Sequence, residues 1–397
     1  MSAVYARPMV VGLDLPSVDR IGEALDRGEP IGLVHDRLPA GERDALIARL
    51  RAAAIPEDTA AVVFTTGSTG RPKGVVLSTA AMAAAVRASA RLLGVRDGDR
   101  WLLALPPAHV AGLGVIARSR AMGVMPIVAE TAAATAAATA TAAATAATTA
   151  GATAAAAVSL ASLVPSQLVA LLEDERWRPS ERLRGVLVGG AAATAALIGR
   201  ARARGVPVLT TYGMSETFGQ VATSPPGEVP PAGAVGKALD GVAIAAGTRA
   251  EPAPILVTTA SAFSGYLDEA RPAGEQVVTS DLGFVEDGWL YVVGRADDVI
   301  ITGGEKVHPV AIEAALARVP GVASVCIVGV PDERWGQLVA AALVVASGFD
   351  GGALDAAIAA LAPHARPRRI AMVESLPLGP TGKIDRRAVA AGFRAAV

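Results

Sequence analysis

The sequence predicts an α/β protein with a large N-terminal domain, built on parallel-rich β-sheets flanked by helices, and a small C-terminal α/β domain. The length of 397 residues is sufficient for two or three domains of ordinary size. Short apolar runs bounded by Gly and Pro recur along the chain, and segments with helical spacing lie between several of them. This alternation is typical of parallel sheet with helices on its faces.

The N-terminal domain contains six apolar runs that we interpret as buried strands. They are 60–66, 100–106, 124–130, 158–165, 183–190 and 206–213. Helical spacing is found over 81–95 and 165–175. Because ligands of such folds bind at the carboxyl ends of the strands, we expect the chemistry in the loops that follow strands.

The C-terminal domain begins where the pattern changes, and we place the boundary at Asp297, giving domains 1–296 and 297–397. Pro309 stands at a favoured first helical position and opens a predicted helix over 309–319. Strands over 323–330 and 338–345 and a helix over 353–362 complete a domain of about 100 residues.

One segment of the large domain has low complexity. Residues 131–157 contain only Ala, Thr and Gly151, so no large side chain anchors a conformation. We expect a loosely packed helix or a disordered insert there, and we assign it no function.

Composition excludes several classes of protein. Hydrophobic residues make up 52% of the chain but aromatic residues only 4%, so Ala supplies much of the apolar total and no segment predicts membrane insertion. The start of the sequence lacks a basic segment leading into an apolar one, so we expect no secretory signal. The single cysteine, Cys326, excludes an internal disulfide and a zinc-thiolate cluster. These features predict a cytoplasmic protein.

Charge and histidine content narrow the choice further. Lys and Arg number 36 and Asp and Glu 37, for a net charge of −1, whereas a dedicated nucleic-acid binder normally has a basic excess. We therefore expect no nucleic-acid partner. The four histidines are far apart in sequence, with no local ligand spacing, so no histidine metal site is indicated.

The most informative segment is TTGSTGRPKG, which directly follows a predicted strand. Gly-rich backbone presents N–H groups to phosphate, hydroxyl groups add donors, and Lys73 supplies a positive charge. Pro72 occupies the place of the second Gly of the Walker A pattern, which disfavours a P-loop NTPase. The candidate phosphate-binding residues are Thr65, Thr66, Gly67, Ser68, Thr69, Gly70 and Lys73.

This segment resembles the phosphate loop of the adenylate-forming superfamily, which contains acyl-CoA synthetases, luciferase and peptide-synthetase adenylation domains. Further motifs follow in the order of that family: LPPAHVAG, VGGAAA, YGMSET, SDLG, GRADDVIITGGEKV and PTGKIDRR. Together they cover roughly residues 60 to 390. The resemblance implies an enzyme that joins a carboxylate to ATP and then transfers the acyl group to coenzyme A.

The resemblance also assigns roles to individual residues. It implies that Glu216 is a Mg²⁺ ligand and that Lys383 is a mobile catalytic lysine acting on the carboxylate and the α-phosphate. The implied nucleotide-binding residues, beyond the phosphate loop, are Gly190, Ala191, Ala192, Tyr212, Gly213, Ser215, Asp281 and Arg295. The implied cofactors are ATP and Mg²⁺, with coenzyme A as a substrate.

The small domain carries the remaining implied residues. Asp297 resembles the hinge at which this domain rotates between the two half-reactions, and Gly303 and Gly304 resemble part of the pantetheine tunnel. Structural interpretations stay open for individual residues: Asp281 and Arg295 as a surface ion pair, Tyr212 as a core aromatic, and Lys383 as a solvated lysine.

The acid pocket shows a narrower resemblance. His109, Gly112 and Arg118 fall as in the o-succinylbenzoate:CoA ligases of menaquinone biosynthesis, and the segment containing Ser166 is also similar. A dicarboxylate needs a cation for the carboxylate that is not activated, which a buried arginine provides; the alternative is a solvent-facing Arg118. The short region before Thr65 supports this subfamily, whereas FGQVATS (218–224) departs from the continuation that we associate with it.

Three functions therefore stay open. The first is an o-succinylbenzoate:CoA ligase, with His109 in catalysis and acid binding. The second is an acyl-CoA or acyl-carrier ligase for another carboxylic acid, and the third is a non-catalytic nucleotide-binding scaffold with the same fold. The sequence does not fix the oligomeric state, and a homodimer is compatible with it.

Overall fold

The computed structural model describes residues 4–65, 72–140, 158–269, 274–378 and 384–395. The chain divides into two compact units. The larger unit comprises Met1–Ala245, Leu256–Val278 and Glu286–Tyr291, and the smaller comprises Ala246–Ile255, Thr279–Val285 and Val292–Val397.

The helices and strands of the described residues are numbered in chain order. The α-helices are α1 Leu15–Asp26, α2 Ala40–Ala52, α3 Thr79–Leu93, α4 Val110–Ala121, α5 Ala132–Thr139, α6 Pro165–Glu173, α7 Ala195–Ala203, α8 Pro309–Leu316, α9 Gly351–Ala360 and α10 Arg386–Ala395. The β-strands are β1 Val4–Tyr5, β2 Arg7–Val11, β3 Ile31–His35, β4 Ala54–Ile55, β5 Thr59–Thr65, β6 Lys73–Ser78, β7 Trp101–Leu103, β8 Ile127–Val128, β9 Leu160–Leu163, β10 Gly185–Val188, β11 Val208–Met214, β12 Gly219–Thr223, β13 Ala234–Ala238, β14 Val242–Ala245, β15 Ala253–Thr259, β16 Gly265–Tyr266, β17 Gln276–Glu286, β18 Trp289–Arg295, β19 Ile300–Thr302, β20 Glu305–Val307, β21 Val322–Asp332, β22 Gly336–Val345 and β23 Arg369–Met372.

Two sheets contain most of the strands of the larger unit. One has the order β16-β6-β5-β3-β2, in which β2, β3 and β5 are parallel. The other runs β14-β15-β17-β18-β13-β12-β11-β10-β9-β7-β8, and its segment from β8 to β11 is parallel. The predicted α/β class with parallel-rich sheets is confirmed. The antiparallel continuation from β11 through β12 to β13 was not predicted from the sequence.

The core of the larger unit forms between these sheets and their helices. Trp101 and Leu113 are fully buried, in a cluster that also contains Phe218. Helix α3 begins at an N-cap, Ser78, whose hydroxyl accepts a hydrogen bond from the amide of Ala81, and ends at Gly94 in the left-handed conformation. The predicted strands over 100–106 and 124–130 are real but short, because only 101–103 and 127–128 pair with neighbours.

The described part of the Ala/Thr tract is ordered more tightly than its composition suggests. Residues Ala132–Thr139 form α5, and Thr135 and Thr139 are buried in it. The indole Nε1 of Trp177 donates to the carbonyl of Ala136 at 3.2 Å. Threonine hydroxyls that bond to carbonyls one turn earlier satisfy the buried polar atoms. The expectation of loose packing is wrong for this helix, and residues 141–157 lie outside the described residues.

The smaller unit contains the elements predicted for the C-terminal region. Helix α8 packs on β21, and the long hairpin of β21 and β22 is extended by parallel pairing with β23. Its core includes Ile312, Leu316 and Leu343. Among the described residues of the chain, no helix combines the length and apolar character needed to cross a membrane.

Candidate active site

The phosphate-loop motif is carried by the hairpin of β5 and β6 in the larger unit. Thr65 ends β5 and Lys73 begins β6, and the two residues are paired across the antiparallel ladder. The predicted residues Thr66, Gly67, Ser68, Thr69 and Gly70 lie outside the described residues. The hairpin therefore fixes the two ends of the motif side by side at the end of β5, as expected for a loop that follows a strand.

Lys73 lies over the ring of Tyr266. Its Nζ is 4.4 Å from the ring centroid and 3.8 Å from Oε1 of Glu269, and the side chain is 39% exposed. A cation over an aromatic face is weakly attracted to it, and the carboxylate is at the outer limit of an ion pair. Lys73 is thus oriented without being held in a short salt bridge, which leaves its charge able to meet an anion.

Glu216 lies close to the same aromatic ring. It sits in a short 3-10 turn, Ser215–Thr217, between β11 and β12, and one carboxylate oxygen, Oε1, accepts a hydrogen bond from the hydroxyl of Tyr266 at 2.9 Å. Burial, and then the negative charge of Glu216, raise the pKa of Tyr266 well above its usual value. The phenol therefore stays protonated and remains a donor at physiological pH.

The turn that carries Glu216 depends on close backbone packing. A Cβ on Gly213 would lie 1.8 Å from the carbonyl oxygen of Gly219, so a side chain at position 213 would force these backbones apart. Phe218 has φ of 51° and is buried, a conformation that is uncommon for a residue with a side chain. The register of β11 and β12 shifts at Tyr212 and Gly213. The close backbone packing and the φ of Phe218 therefore restrict the conformation of this turn.

The predicted adenine-side residues follow two adjacent parallel strands. Val188 of β10 pairs with Thr210 of β11, so the segment after β10 and the end of β11 lie at the same edge of the sheet. Gly190, Ala191 and Ala192 are exposed, whereas Tyr212 is partly buried and Gly213 is exposed. Ser215 is partly buried in the turn. These residues lie together where a parallel sheet binds its ligands.

His109 stands at the N-cap position of α4. Its ring centroid is 5.6 Å from that of His35, at the end of β3. His35 and Pro106 line a cavity of about 210 Å³, as do Glu130, which follows β8, and Gln167.

Predicted Ser166 is exposed in the first turn of α6. Predicted Gly112 packs α4 against the carbonyl of Pro106, which a Cβ would approach to 2.3 Å.

Arg118 is buried, with 7% of its surface exposed. Its Nε donates to the hydroxyl of Ser89 at 3.0 Å and its Nη2 to Oε1 of Gln220 at 2.7 Å. The guanidinium carbon is 5.3 Å from the ring centroid of Trp101. The alternative of a solvent-facing Arg118 is therefore wrong. Burial lowers the pKa of Arg118 to about 10, so it is protonated at neutral pH.

The smaller unit brings two other predicted residues together around Arg295. The guanidinium donates to Oδ1 of Asp281 at 2.9 Å and to Oδ2 of Asp297 at 3.0 Å, and also to the hydroxyl of Ser280. Arg295 therefore links the predicted ribose-side residue, Asp281, to the predicted hinge residue, Asp297. The ion pair of Asp281 and Arg295 fits both the nucleotide-binding role and the surface pair left open above.

Gly303 and Gly304 follow β19 in the smaller unit. Both have positive φ, 59° and 87°, and a Cβ on Gly303 would lie 2.7 Å from the indole of Trp335. The guanidinium groups of Arg334 and Arg368 also lie over the ring of Trp335, at 5.2 and 4.8 Å from its centroid. The close approach of Trp335 explains why position 303 needs glycine.

Lys383 lies outside the described residues, but the chain before and after residues 379–383 is held by contacts. Leu378 bridges to Ile384. Arg386 donates to both oxygens of Glu313, at 2.5 and 2.8 Å, and its Nε lies 3.5 Å from Asp298. The motif that contains Lys383 is thus anchored to α8 and to the turn that contains Asp297.

Comparisons with known proteins identify the family of this chain. The family described as AMP-binding enzyme matches residues 14–267, and the AMP-binding enzyme C-terminal domain matches residues 311–383. The chain belongs to the AMP-binding enzyme family.

Several relatives carry the same name. A probable 2-succinylbenzoate–CoA ligase of Mycobacterium tuberculosis is 35% identical over 367 residues, 89% of each chain. The 2-succinylbenzoate–CoA ligase of Listeria innocua is 32% identical over 83% of this chain and 69% of its own. The o-succinylbenzoate CoA synthetase of Bacillus subtilis with the acyl-adenylate OSB-AMP is 25% identical, with coverage of 97% and 88% and a TM-score of 0.79. Its form with ATP and magnesium ion is 27% identical, with coverage of 93% and 81% and a TM-score of 0.73.

Some residues of this AMP-binding enzyme's candidate site were not found from its sequence. Tyr266 and Glu269 contact the predicted residues Glu216 and Lys73, and Ser89 and Gln220 hold Arg118. None of these residues lies in a motif that we assigned to the site. The segment FGQVATS contains Gln220, but its sequence carried no signal that this side chain would meet a residue of α4.

Replacing Tyr266 by Phe tests the role of its hydroxyl. The ring and its contacts with Lys73 and Phe263 are retained, whereas the hydrogen bond to Glu216 is lost. Because a hydrogen bond to a charged group contributes about 1.5–3 kcal/mol, we expect the Kd for magnesium-bound ATP to rise by about tenfold, measured by calorimetry. Tyr5→Phe, at an exposed tyrosine, is the control. An equal Kd for the two variants would show that the hydroxyl does not orient Glu216.

Proposed function

We propose that this chain is an ATP-dependent 2-succinylbenzoate–CoA ligase of menaquinone biosynthesis. In the first half-reaction the substrate carboxylate attacks the α-phosphate of ATP, which forms an acyl-adenylate and releases pyrophosphate. In the second, the thiol of coenzyme A attacks the acyl carbon and AMP leaves. The observation that carries the proposal is the buried, protonated Arg118, because a second carboxylate on the substrate requires a cation in the acid pocket.

Lys73 and Glu216 act on the phosphates in this proposal, together with the segment Thr65–Gly70. Lys73 offsets phosphate charge while the carboxylate approaches, since two anions must meet in this step. Glu216 fits Mg²⁺, because this ion is commonly bound by one or two carboxylates together with substrate phosphates and water. Among the described residues there is no cluster of three acidic, histidine or cysteine side chains, so the protein contributes few ligands. When bound, the ion neutralises developing charge on the pyrophosphate.

We assign roles in nucleoside binding to the residues of three motifs. We assign the adenine to Tyr212, with the backbone of Gly190–Ala192, and Gly213 and Ser215 beside it. Asp281 accepts the ribose hydroxyls, and Arg295 fixes the carboxylate of Asp281 through the 2.9 Å hydrogen bond. His109, at the start of α4, borders the acid, with Gly112 and Ser166 nearby in the pocket.

We further propose that the domain boundary lies at Asp297, with domains 1–296 and 297–397, and that the small domain rotates there between half-reactions. In one orientation Lys383 stabilises the carboxylate and α-phosphate oxygens. In the other, Gly303 and Gly304 line the path of the pantetheine arm of coenzyme A. The proposed location of the enzyme is the cytoplasm, where ATP and coenzyme A are available to it.

Exchange of pyrophosphate into ATP with a panel of acids tests the proposed function. We expect exchange with 2-succinylbenzoate and little with benzoate, malonate or fatty acids. Arg118→Ala should reduce exchange with 2-succinylbenzoate by about tenfold or more, because it removes a charged hydrogen-bond donor. Exchange with another acid would identify a different ligase. No exchange with any acid would favour a nucleotide-binding scaffold.

Lys383→Ala separates the two half-reactions. We expect acyl-adenylate formation to fall by about 100-fold or more, since the variant loses a cation that stabilises the transition state. Formation of the thioester from supplied acyl-adenylate and coenzyme A should stay within about threefold of the wild type. Stopped-flow or quench measurement of each step checks this. An equal loss in both steps would contradict the division of roles between Lys383 and the glycine segment.

A further inference from the structure

Arg118 is held by neutral side chains from two other elements. Ser89 of α3 accepts from Nε, and Gln220 of β12 accepts from Nη2. The Ser89 hydroxyl also donates to Gln220 Oε1 at 2.8 Å. The Gln220 amide group donates to the hydroxyl of Thr223 at 3.0 Å, which fixes its oxygen toward Arg118. The orientation of the guanidinium is therefore set by a closed network of hydrogen bonds.

The neutrality of this network distinguishes Arg118 from the other well-buried arginines. Arg386 is bidentate to Glu313, and Arg184 donates from Nε to Asp99 at 3.0 Å. Both are more exposed than Arg118, with 27% and 24% of their side chains accessible. Among the described residues, Arg118 has no carboxylate partner. Within the described residues, the charge of Arg118 therefore has no counterion. Because a buried charge is costly unless it is paired, an anion of the substrate would stabilise it.

The Nη1 group of Arg118 lies close to the helix that carries it. Gly114 precedes Arg118 by one turn of α4, and a Cβ there would lie 3.1 Å from Nη1. Within the part of the chain that the structure describes, Nη1 has no protein hydrogen-bond acceptor, since Nε and Nη2 make the bonds to Ser89 and Gln220. The N–H groups of Nη1 are therefore the ones that can bind an anion.

We propose that Ser89 and Gln220 are positioning residues that select a dicarboxylic substrate, by orienting Arg118 through neutral acceptors so that its charge is reserved for the second carboxylate. The proposal rests on the proposed function. A carboxylate in place of Gln220 would orient the guanidinium equally well but would neutralise it. The uncharged amide of Gln220 orients the guanidinium without neutralising it. This explains why an amide rather than an acid accepts a hydrogen bond from this buried arginine.

Gln220→Glu tests the proposal with an almost isosteric change. It places a carboxylate at the 2.7 Å position on Nη2. We expect the KM for 2-succinylbenzoate to rise by about tenfold or more, with kcat within about threefold of the wild type. For the substrate analogue in which the aromatic carboxylate is a methyl ester, the KM of the variant should equal that of the wild type, because this analogue lacks the anion that Arg118 binds. Gln276→Glu, the same change at an exposed position, is the matched control.

Ser89→Ala is a second variant that introduces no charge. It removes one anchor of the guanidinium, and we expect the KM for the dicarboxylate to rise by about threefold to tenfold while kcat and the KM of the ester are unchanged. A KM for Gln220→Glu equal to that of Gln276→Glu would overturn the proposal while the proposed function stands. A wild-type enzyme that activates only monocarboxylic acids would overturn both.

Discussion

The tight turn between β11 and β12 sets the geometry of both ends of the candidate site in the larger unit. Gly213 passes so close to Gly219 that no side chain fits at position 213, and Phe218 is buried in a left-handed conformation. The turn aims Glu216 at Tyr266. Strand β12 begins at Gly219, directly after Phe218, and its Gln220 accepts a hydrogen bond from Arg118. The proposed phosphate end and the proposed acid end therefore share one short piece of backbone.

The charges of the site are few and individually placed. A net charge of −1 supplies no overall field that would attract anions. Lys73 is oriented by the ring of Tyr266, Arg118 by neutral acceptors, and Arg295 by carboxylates. The three residues differ in how closely a carboxylate of the protein pairs with the positive charge. Arg295 donates to two carboxylates at 2.9 and 3.0 Å, whereas Lys73 is 3.8 Å from one. The close pairing of Arg295 suits a residue that orients Asp281 rather than one that binds an anion itself.

The fold class and the motifs proposed for the site can be identified from the sequence because both are local properties. Apolar runs such as 183–190 and the Gly-rich segment after Thr65 can be identified without knowing what packs against them. The partners of those residues could not be identified in this way. Tyr266 is 50 residues from Glu216, and Gln220 is 102 residues from Arg118, and nothing in their sequence surroundings indicates either contact. Helix α5 was misjudged for the same reason, since Trp177, which anchors it, lies beyond the Ala/Thr tract.

Gly213→Ala tests most directly whether this turn positions both the proposed phosphate end and the proposed acid end of the site. The KM for magnesium-bound ATP and the KM for 2-succinylbenzoate are measured on the same preparation. Gly199→Ala, at a helical glycine with open space around its Cβ position, is the control. Because the added methyl group must displace the backbone of β12, at a cost of about 1–3 kcal/mol, we expect both constants to rise by about tenfold. A rise in only one constant, or values equal to those of Gly199→Ala, would contradict the conclusion that one turn positions both ends of the site.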